Sequence, residues 1–515
     1  MRVIDYFDRG ADIDPDRPCL IEGALTRTFR EVRTSSHLIA LTLIDAAFAP
    51  QEKAAVLSPN CATAFECVLG IFRAEGVWVP INMRNAEIEN AIILDDLDVT
   101  VLFFHSSCAN QVAYLRARCP KIRLWICING EAPDAPSLAA WVGERAGLAP
   151  ERGCGREALA TISSTGGTTG RPKGVMWSNL TWQTYIGNFH TCFPLRQPHV
   201  HLVVAPMTHA AGTFAIVLMA AGATNVILPG FDAEAVISAI PRHRVTTMFL
   251  PPTAIYTLLA HPRVREGNYT SLAYFYYTSA PMSAQRLREA VDVFGPVMTS
   301  MYGQVEAPAT CTYLPPWELV QDGRIVERRI ASCGRPSLHT RVAIMADDGT
   351  LLPAGQAGEI VVRSNLVMTG YYRNEAATAE VSHHGWHHTG DIGYFDDTGY
   401  LFIVDRKKDM IISGGFNVYP SEVEQVLWTH PAVQDCAVIG VPDEKWGEAV
   451  KAVIELKPHQ HVAEADLIDY SKQRLGSIKA PKSIEFWDEL PRSAAGKVLR
   501  KAIRERYWHG QSRLI

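Results

Sequence analysis

The sequence predicts an α/β protein built from two layered α/β subdomains, a β-rich subdomain and a small α+β C-terminal domain. Three observations predict this class. Short β-branched runs alternate with amphipathic stretches up to about Gly334, closely spaced strands and turns follow, and a compact α/β pattern resumes after the five charged residues 405–409. We therefore expect an N-terminal domain at 1–404, a boundary at 405–409 and a C-terminal domain at 410–515.

The first strands are predicted where β-branched and apolar residues cluster: 54–57, 77–81, 99–104, 202–204 and 225–228. Helical segments between many of them favour largely parallel sheets. The apolar stretch 210–228 is interrupted by Gly212, Gly222 and Asn225 and bracketed by Pro206 and Pro229. A span needs about 20 mainly apolar residues, so we interpret this stretch as a buried helix followed by a strand.

The later elements are predicted from turns and caps. Strands at 341–344, 358–362 and 400–404 alternate with turn sequences such as Asp396-Asp397-Thr398-Gly399, which favours hairpins. Beyond the charged residues 405–409, Ser421 is predicted to open a helix with cap-like chemistry. Strands follow at 437–441 and 451–454.

Composition limits the function classes. The 515 residues are 47% hydrophobic and 20% charged, which is ordinary for a globular enzyme. A net charge of −5 gives no basic surplus for nucleic acid, so any polyanion must bind locally. The 11 scattered cysteines favour reduced thiols, and the acidic N-terminus lacks the apolar run of a signal peptide. We expect a cytoplasmic protein without a membrane span.

The most informative motif is a stretch rich in glycine and hydroxyl residues that follows an apolar run: Ser163-Ser164-Thr165-Gly166-Gly167-Thr168-Thr169-Gly170-Arg171-Pro172-Lys173-Gly174. Free backbone N–H groups, hydroxyls and the Lys173 ammonium are what a polyphosphate needs. The motif departs from the Walker pattern because Pro172 precedes the lysine and Gly174 follows it.

This stretch resembles the phosphate-binding signature of the adenylate-forming superfamily, which contains acyl- and aryl-CoA synthetases, adenylation domains of peptide synthetases and firefly-type luciferases. Further signatures follow in the superfamily's order as far as Lys497. The resemblance implies an ATP site made by Thr165, Gly166, Gly167, Thr168, Thr169, Gly170, Lys173, Ser279, Ala280, Pro281, Tyr302, Gly303, Asp391 and Arg406.

Individual roles within that site also come from the resemblance. Tyr302 would pack on adenine and Glu306 would hold Mg²⁺, and a carboxylate is a suitable hard ligand. Val305 stands where the superfamily usually has threonine. Asp391 and Arg406 would contact the ribose. The nearby His383, His384, His387 and His388 we interpret as part of a loop rather than a zinc site.

The C-terminal part matches the motifs of a mobile domain. The resemblance makes Lys497 the adenylation lysine, whose ammonium would bridge the acid and the α-phosphate. Lys408 would be the hinge, because Lys497 must leave before a thiol enters. Gly414 and Gly415 would line the path of coenzyme A. Trp446 is a weaker candidate for that path, with a core tryptophan as the alternative.

The acid site is predicted around Pro206-Met207-Thr208-His209, which resembles the acyl-pocket motif of carboxylate-CoA ligases. His209 would replace the aspartate that pairs with an amino acid's ammonium, and we assign it a catalytic gating role; a satisfied core histidine stays open. Small residues at 210–212 and Ala307 leave room for a bulky or extended acyl group, and Tyr185, Asn188 and Tyr277 are candidate lining residues.

The predicted function is an ATP- and Mg²⁺-dependent acyl-CoA synthetase that activates a fatty, alicyclic or aryl acid. Two alternatives stay open: an acyl-AMP ligase that loads a carrier protein, and a non-catalytic nucleotide or acyl-CoA sensor, which Val305 would favour. A dinucleotide-type turn at Gly153-Cys154-Gly155 is discounted because no buried strand precedes it. The acid's identity and a homodimer are left open.

Overall fold

We describe the protein from a computed structural model, over residues 1–165, 172–194, 199–492 and 498–508. The first elements alternate helices and strands: α1 (Val3–Ile13), β1 (Pro18–Glu22), β2 (Leu25–Thr28), α2 (Phe29–Asp45), β3 (Lys53–Leu57), α3 (Ala62–Arg73), β4 (Val77–Ile81), α4 (Glu87–Asp96), β5 (Val99–Phe104), α5 (Ala109–Arg116), β6 (Leu124–Cys127) and α6 (Leu138–Val142).

The same alternation continues through the second part and ends in short strands: β7 (Leu159–Ser164), β8 (Gly174–Ser178), α7 (Asn179–Cys192), β9 (Val200–Val203), α8 (Ala210–Met219), β10 (Thr224–Ile227), α9 (Ala233–His243), β11 (Thr247–Phe249), α10 (Pro252–Leu259), β12 (Tyr274–Tyr277), α11 (Ala284–Phe294), β13 (Met298–Gln304), β14 (Ala307–Leu314), α12 (Pro316–Leu319), β15 (Val320–Gln321), β16 (Arg324–Ile325) and β17 (Arg335–Pro336).

A strand-rich part follows: β18 (Arg341–Met345), β19 (Gly358–Arg363), β20 (Gly370–Tyr371), α13 (Glu375–Glu380), β21 (Ser382–His383), β22 (Trp386–Phe395) and β23 (Leu401–Arg406). The last part is α+β: β24 (Ile411–Ser413), β25 (Phe416–Val418), α14 (Pro420–Leu427), β26 (Val433–Asp443), β27 (Gly447–Leu456), α15 (Glu464–Lys479), β28 (Ser483–Phe486) and α16 (Arg500–Glu505).

Two large sheets form the body. Within the described residues, one has the order β17-β14-β13-β12-β11-β9-β10-β1-β2 and the other β20-β8-β7-β4-β3-β5-β6. Their central pairs are parallel, and antiparallel pairs lie toward the edges. Trp78 of the second sheet and Tyr276 of the first belong to one buried cluster with α3, α7 and α8, so the main core lies between the sheets.

The predicted fold class is confirmed, and the differences are local. The predicted strands 202–204 and 225–228 are β9 and β10, shifted by one or two residues, and 210–228 is a buried helix and strand. Hairpin strands β18, β19, β21, β22 and β23 form the β-rich sheet. The short β20 is not part of that sheet. It pairs with β8 of the second large sheet, with Tyr371 opposite Val175.

The cap predicted at Ser421 was wrong in its chemistry. The helix α14 begins at Pro420, and the side chain of its N-cap residue, Tyr419, makes no capping hydrogen bond. The Ser421 hydroxyl donates to the Val404 carbonyl, and its N–H donates to Asp405 at 2.7 Å. Ser421 therefore attaches the helix to the end of the body instead of closing the helix on itself.

The sequence also predicts reduced thiols and the absence of a membrane span. All eleven cysteines are free thiols, and all except Cys154 are buried. Across the described ranges, no helix is both long and apolar enough to cross a bilayer.

Candidate active site

Three predicted site segments and Asn82, which was not predicted, follow the carboxyl ends of parallel strands. The phosphate motif follows β7, Asn82 follows β4, His209 follows β9 and Ser279 follows β12. The pairs β4–β7, β9–β11 and β11–β12 are all parallel. Ligands in open α/β sheets bind at the carboxyl edge of the strands, so these segments are placed where a substrate cleft is expected.

A carboxylate cluster joins the β13–β14 hairpin to β22 and β23. The Tyr302 hydroxyl donates to Asp391 Oδ2 at 2.8 Å, and Gln304 Nε2 donates to the same oxygen at 3.2 Å. Arg406 Nε lies 3.6 Å from Asp391 Oδ1, since the two residues pair across β22 and β23. Burial and the Asp391 charge raise the pKa of Tyr302, which keeps its phenol a donor.

A second carboxylate supports this cluster from behind. Glu359 Oε1 accepts from the Gly390 N–H at 3.1 Å, and its Oε2 lies 3.2 Å from His388 Nδ1 and 3.3 Å from Lys407 Nζ. Burial alone would raise the pKa of Glu359, but His388 and Lys407 hold it below its usual value. The segment of β22 that carries Gly390 and Asp391 is thereby tied to Lys407, the residue beside the predicted hinge.

The phosphate side is described only at its ends. Residues 166–171 lie outside the described residues, so the predicted contacts of Gly166, Gly167, Thr168, Thr169 and Gly170 are not placed. Thr165 and Lys173 close the loop: Thr165 N–H donates to the Lys173 carbonyl at 2.9 Å, and Lys173 N–H donates to Thr165 Oγ1 at 3.3 Å.

The two charged groups of the phosphate side meet on one tyrosine. Lys173 Nζ lies 4.8 Å from the centroid of the Tyr371 ring. The Tyr371 hydroxyl donates to Glu306 Oε1 at 2.7 Å. The structure therefore brings the predicted phosphate lysine and the predicted metal ligand to opposite parts of one buried side chain.

The nucleotide border shows two backbone constraints. Ser279, between β12 and α11, has φ of +76°, a conformation that L residues rarely adopt outside functional turns. A Cβ on Gly303 would lie 2.5 Å from the Ala309 nitrogen. Ala280 and Pro281 continue the Ser279 turn, so the predicted adenine border is a strained turn at a strand end.

The acid side centres on His209. Its Nε2 lies 3.1 Å from Asn82 Nδ2, which donates and so assigns the ring proton to Nδ1. His209 is accessible to solvent, yet desolvation lowers its pKa below 6.5. Its side chain therefore lies at the surface of the structure and outside the buried core. The alternative of a satisfied core histidine is thus wrong.

The small residues after His209 do not mark empty space. A Cβ on Gly212 would lie 1.7 Å from the Met207 carbonyl oxygen, so this glycine permits a close backbone approach. Ala211 and Ala307 are fully buried in the main core. Tyr185 and Asn188 are buried too, and Asn188 donates to Thr340 Oγ1 at 3.0 Å, which makes it a structural residue.

Lys497 and residues 493–496 lie outside the described residues, but the residues on either side of this segment, Arg492 and Val498, are described. Arg492 pairs with Asp435 at 2.8 Å and with Glu455 at 3.3 Å. A β-bridge joins Arg492 to Val498, the residue after Lys497.

The predicted coenzyme A path is a turn on the C-terminal part. Gly414 and Gly415 have φ of +59° and +82° and join β24 to β25. Gly414 N–H donates to the Trp446 carbonyl at 2.8 Å, and a Cβ on Gly414 would lie 2.5 Å from the indole. Trp446 is 40% exposed, so the core alternative is wrong. Lys408 precedes this turn and lies in the short 3₁₀ helix after β23.

The carboxylates fit a magnesium–ATP complex. Glu306 Oε1 is held by Tyr371, and Oε2 accepts no hydrogen bond from the described residues, which leaves one hard oxygen for a cation. Among the same residues, no group of three or more His, Cys, Asp and Glu side chains has the arrangement of a metal site. A metal here would therefore take most of its ligands from phosphates and water.

Comparison with known families decides the assignment. A family model described as AMP-binding enzyme matches residues 7–372, and one described as AMP-binding enzyme C-terminal domain matches residues 422–497. The chain belongs to the AMP-binding enzyme family. As a member of it, the protein is an adenylate-forming ligase.

This AMP-binding enzyme has full-length relatives and structural neighbours. It is 36% identical to a feruloyl-CoA synthase from Amycolatopsis over 97% of this chain and 98% of that protein. It is 33% identical to the long-chain-fatty-acid–CoA ligase FadD13 of Mycobacterium tuberculosis over 93% of each. The amide bond synthetase McbA from Marinactinospora thermotolerans has a TM-score of 0.88 at 30% identity, with 98% and 100% of the chains covered.

Three residues of this AMP-binding enzyme were missed by sequence reasoning: Asn82, Glu359 and Tyr371. Asn82 follows a buried parallel strand, which was a usable signal. Glu359 and Tyr371 carried none, because their partners come from distant segments: Tyr371 and Glu306 are 65 residues apart.

Proposed function

We propose that the enzyme converts a carboxylic acid without an α-amino group, ATP and coenzyme A into an acyl-CoA through an acyl-AMP. The observation that carries this proposal is the contact of 3.1 Å between Asn82 Nδ2 and His209 Nε2, in which the amide donates and Nε2 is an acceptor without a proton. A neutral acceptor offers no charge to a substrate ammonium, whereas an uncharged acyl group can pack beside it.

The chain's residues divide the work of the first step. Lys173 binds the phosphates, Asp391 and Arg406 hold the ribose, and Glu306 supplies a metal ligand. Mg²⁺, when bound, neutralises phosphate charge. Lys497 holds the acid's carboxylate against the α-phosphate, so that an oxygen attacks phosphorus and pyrophosphate leaves.

The second step uses the C-terminal domain, residues 410–515, which we propose rotates about Lys408. Lys497 then withdraws, and the turn of Gly414 and Gly415 with Trp446 faces the cleft. The coenzyme A thiol attacks the acyl carbonyl, and AMP leaves. Similarity to named CoA ligases over the whole chain supports this acceptor.

The acid is proposed to be compact, of the aryl or short-chain class. Thr213, one turn after His209, shares a hydrogen bond of 3.3 Å with Tyr185. Next to Tyr185, a cluster of fully buried rings lies between α7, α8 and the first large sheet, and five of its ring pairs have centroids 5.3 to 6.5 Å apart: Tyr185, Phe189, Phe214 and Tyr276. We propose that a long acyl chain entering beside His209 would meet these rings, whereas a compact acid would not.

Acid-dependent pyrophosphate exchange tests the first step. A panel of benzoate- and cinnamate-type acids, C4 to C16 fatty acids and phenylalanine should give exchange with the compact acids and none with phenylalanine. Lys497→Ala should lower exchange by at least about 100-fold, while Lys501→Ala, in the nearby helix α16, should not. If none of the acids supports exchange, the sensor alternative is favoured. A preference for palmitate would refute the proposal that the acid is compact.

Mass detection of the product tests the second step. Coenzyme A should consume the acyl-AMP and yield a thioester. Acyl-AMP that persists with coenzyme A but disappears with a carrier protein would favour the carrier-loading alternative. We include this alternative because one relative is named fatty acid–[acyl-carrier-protein] ligase ScoC.

A further inference from the structure

Tyr371 lies between two charged groups that have separate predicted roles. Its hydroxyl donates to Glu306 Oε1 at 2.7 Å, and Lys173 Nζ lies 4.8 Å from its ring centroid. The tyrosine is 6% exposed, so neither contact is a chance approach of a surface side chain. One phenol thus contacts both the predicted metal ligand and the predicted phosphate lysine.

The backbone around Tyr371 is fixed to both partners. Tyr371 pairs with Val175 in β8, two residues after Lys173. Its N–H donates to Thr378 Oγ1 at 2.9 Å. On the other side, the Met368 N–H donates to the Glu306 carbonyl at 2.7 Å. Residues 368–371 therefore bridge the two large sheets where the phosphate loop and the β13–β14 turn approach each other.

The chemistry of the phenol suits both contacts. The Tyr371 hydroxyl can donate and the ionised Glu306 carboxylate can only accept, so the direction of this hydrogen bond is fixed. That bond restrains one carboxylate oxygen and leaves the other toward a cation. The negative face of the ring attracts the Lys173 ammonium without removing its donors, as a hydrogen-bonding partner would.

We propose that Tyr371 is a positioning residue that orients Glu306 and Lys173 relative to each other, so that the metal ligand and the phosphate-binding ammonium are set before ATP enters. This inference rests on the proposed adenylation function. The two parts of the Tyr371 side chain have separate roles. The hydroxyl orients Glu306 toward the metal, and the ring orients Lys173 toward the phosphates.

The neighbouring tyrosine provides a matched control. The Tyr372 hydroxyl donates to Asp98 at 2.8 Å, and Lys53 Nζ lies 5.2 Å from its ring. The same kinds of contact thus exist one residue along the chain, with partners that have no predicted role at the site. Tyr372→Phe removes a hydroxyl from the same segment without touching Glu306.

The test measures binding of Mn²⁺ and of a non-hydrolysable ATP analogue, by paramagnetic resonance and calorimetry. Tyr371→Phe should weaken Mn²⁺ binding to the enzyme–analogue complex about tenfold and leave metal-free analogue binding within about twofold. Tyr371→Leu should also weaken the metal-free analogue, by about threefold or more. Tyr372→Phe should change neither.

A double variant separates positioning from general stability. If Tyr371 acts through Glu306, adding Tyr371→Phe to Glu306→Gln should cause no further loss of Mn²⁺ affinity. Equal losses in Tyr371→Phe and Tyr372→Phe, or a full additional loss in the double variant, would overturn the inference. Wild-type enzyme that fails to bind the analogue would instead refute the proposed function. Thermal unfolding of each variant verifies that it is folded.

Discussion

At the scale of single residues, Asp391 keeps hydrogen-bonding capacity for the sugar that we propose it binds. Its Oδ2 accepts from Tyr302 and Gln304, while Oδ1 faces Arg406. A carboxylate fixed by neutral donors on one oxygen and paired loosely at 3.6 Å on the other keeps acceptor capacity for hydroxyl groups. The charge is what makes those bonds strong.

Asp391→Asn should raise the KM for ATP by about 10- to 100-fold, because a hydrogen bond to a charged group contributes about 1.5–3 kcal/mol. Steady-state kinetics with ATP, 2′-deoxy-ATP and 3′-deoxy-ATP measures the effect. The variant should discriminate less than wild type between ATP and at least one deoxy analogue. The substitution and the analogue each remove one side of the same proposed hydrogen bond, between the Asp391 carboxylate and a ribose hydroxyl.

The control for this substitution is Asp396→Asn. Asp396 accepts bonds only from its own turn, from Thr398 and Tyr400 among the described residues. Its substitution should leave the KM for ATP unchanged. An Asp391→Asn enzyme that keeps the wild-type preference for ATP over both deoxy analogues would remove Asp391 from the ribose.

Sequence reasoning found the residues of the site that lie within motifs and missed those defined only by tertiary contact. Asp391 and Arg406 were identified from motifs and meet across two strands. Asn82 contacts His209 from 127 residues away, and no local pattern records that approach. The small residues after His209 suggested space for an acyl group for a related reason. Gly212 is required by the close approach of the Met207 backbone, which the sequence alone does not show.

At the scale of elements, buried parallel strands were the easiest to predict. β3, β4 and β5 are almost entirely apolar, apart from Lys53 and Thr100, because both faces of their sheet are covered. The two-residue β20 is too short to carry a period, so its pairing with β8 was not foreseen. The start of α14 differed because a tertiary partner, the end of β23, takes the bonds that a cap would make.

The β24–β25 turn yields a prediction at this scale. Gly414→Ala places a Cβ 2.5 Å from Trp446 at a φ of +59°, so the turn or the indole must shift. We expect thioester formation from preformed acyl-AMP to fall by about tenfold or more. Pyrophosphate exchange should stay within about twofold, because the role that we propose for the turn is confined to the second step.

Gly399→Ala is the matched control, since Gly399 has φ of +79° and no heavy atom within 4 Å of an added Cβ. It introduces the same backbone strain without the collision and should leave both half-reactions intact. Equal loss of the two half-reactions in Gly414→Ala would contradict a role confined to the coenzyme A path.

At the scale of the whole molecule, the hydrophobic clusters divide at the predicted boundary. The clusters of the body contain described residues up to Ile403, and the clusters of the last part begin at Ile411. Polar links cross between them: Arg500 pairs with Asp405 at 3.5 Å, and Ser421 donates to Asp405. Separate cores joined by polar contacts permit a rigid-body rotation without exposing either core.

This division predicts two thermal transitions. A C-terminal unit of roughly 100 residues should contribute about 60–80 kcal/mol of unfolding enthalpy, and the body several times more. ATP at about 100 times its Kd should stabilise the body by about 2.7 kcal/mol, which shifts a transition of that size by about 3 °C. Differential scanning calorimetry with and without ATP measures both quantities.

Two core variants assign the transitions. Val438 is fully buried in the C-terminal core, so Val438→Asp should abolish the smaller transition while the larger one keeps its midpoint and its shift with ATP. Phe275 is fully buried in the body, and Phe275→Ala should lower only the larger midpoint. A single transition that both variants lower together would show that the two cores unfold as one unit. Rotation about Lys408 would then require breaking cooperative contacts, and the two half-reactions would need another way to exchange Lys497 for the thiol.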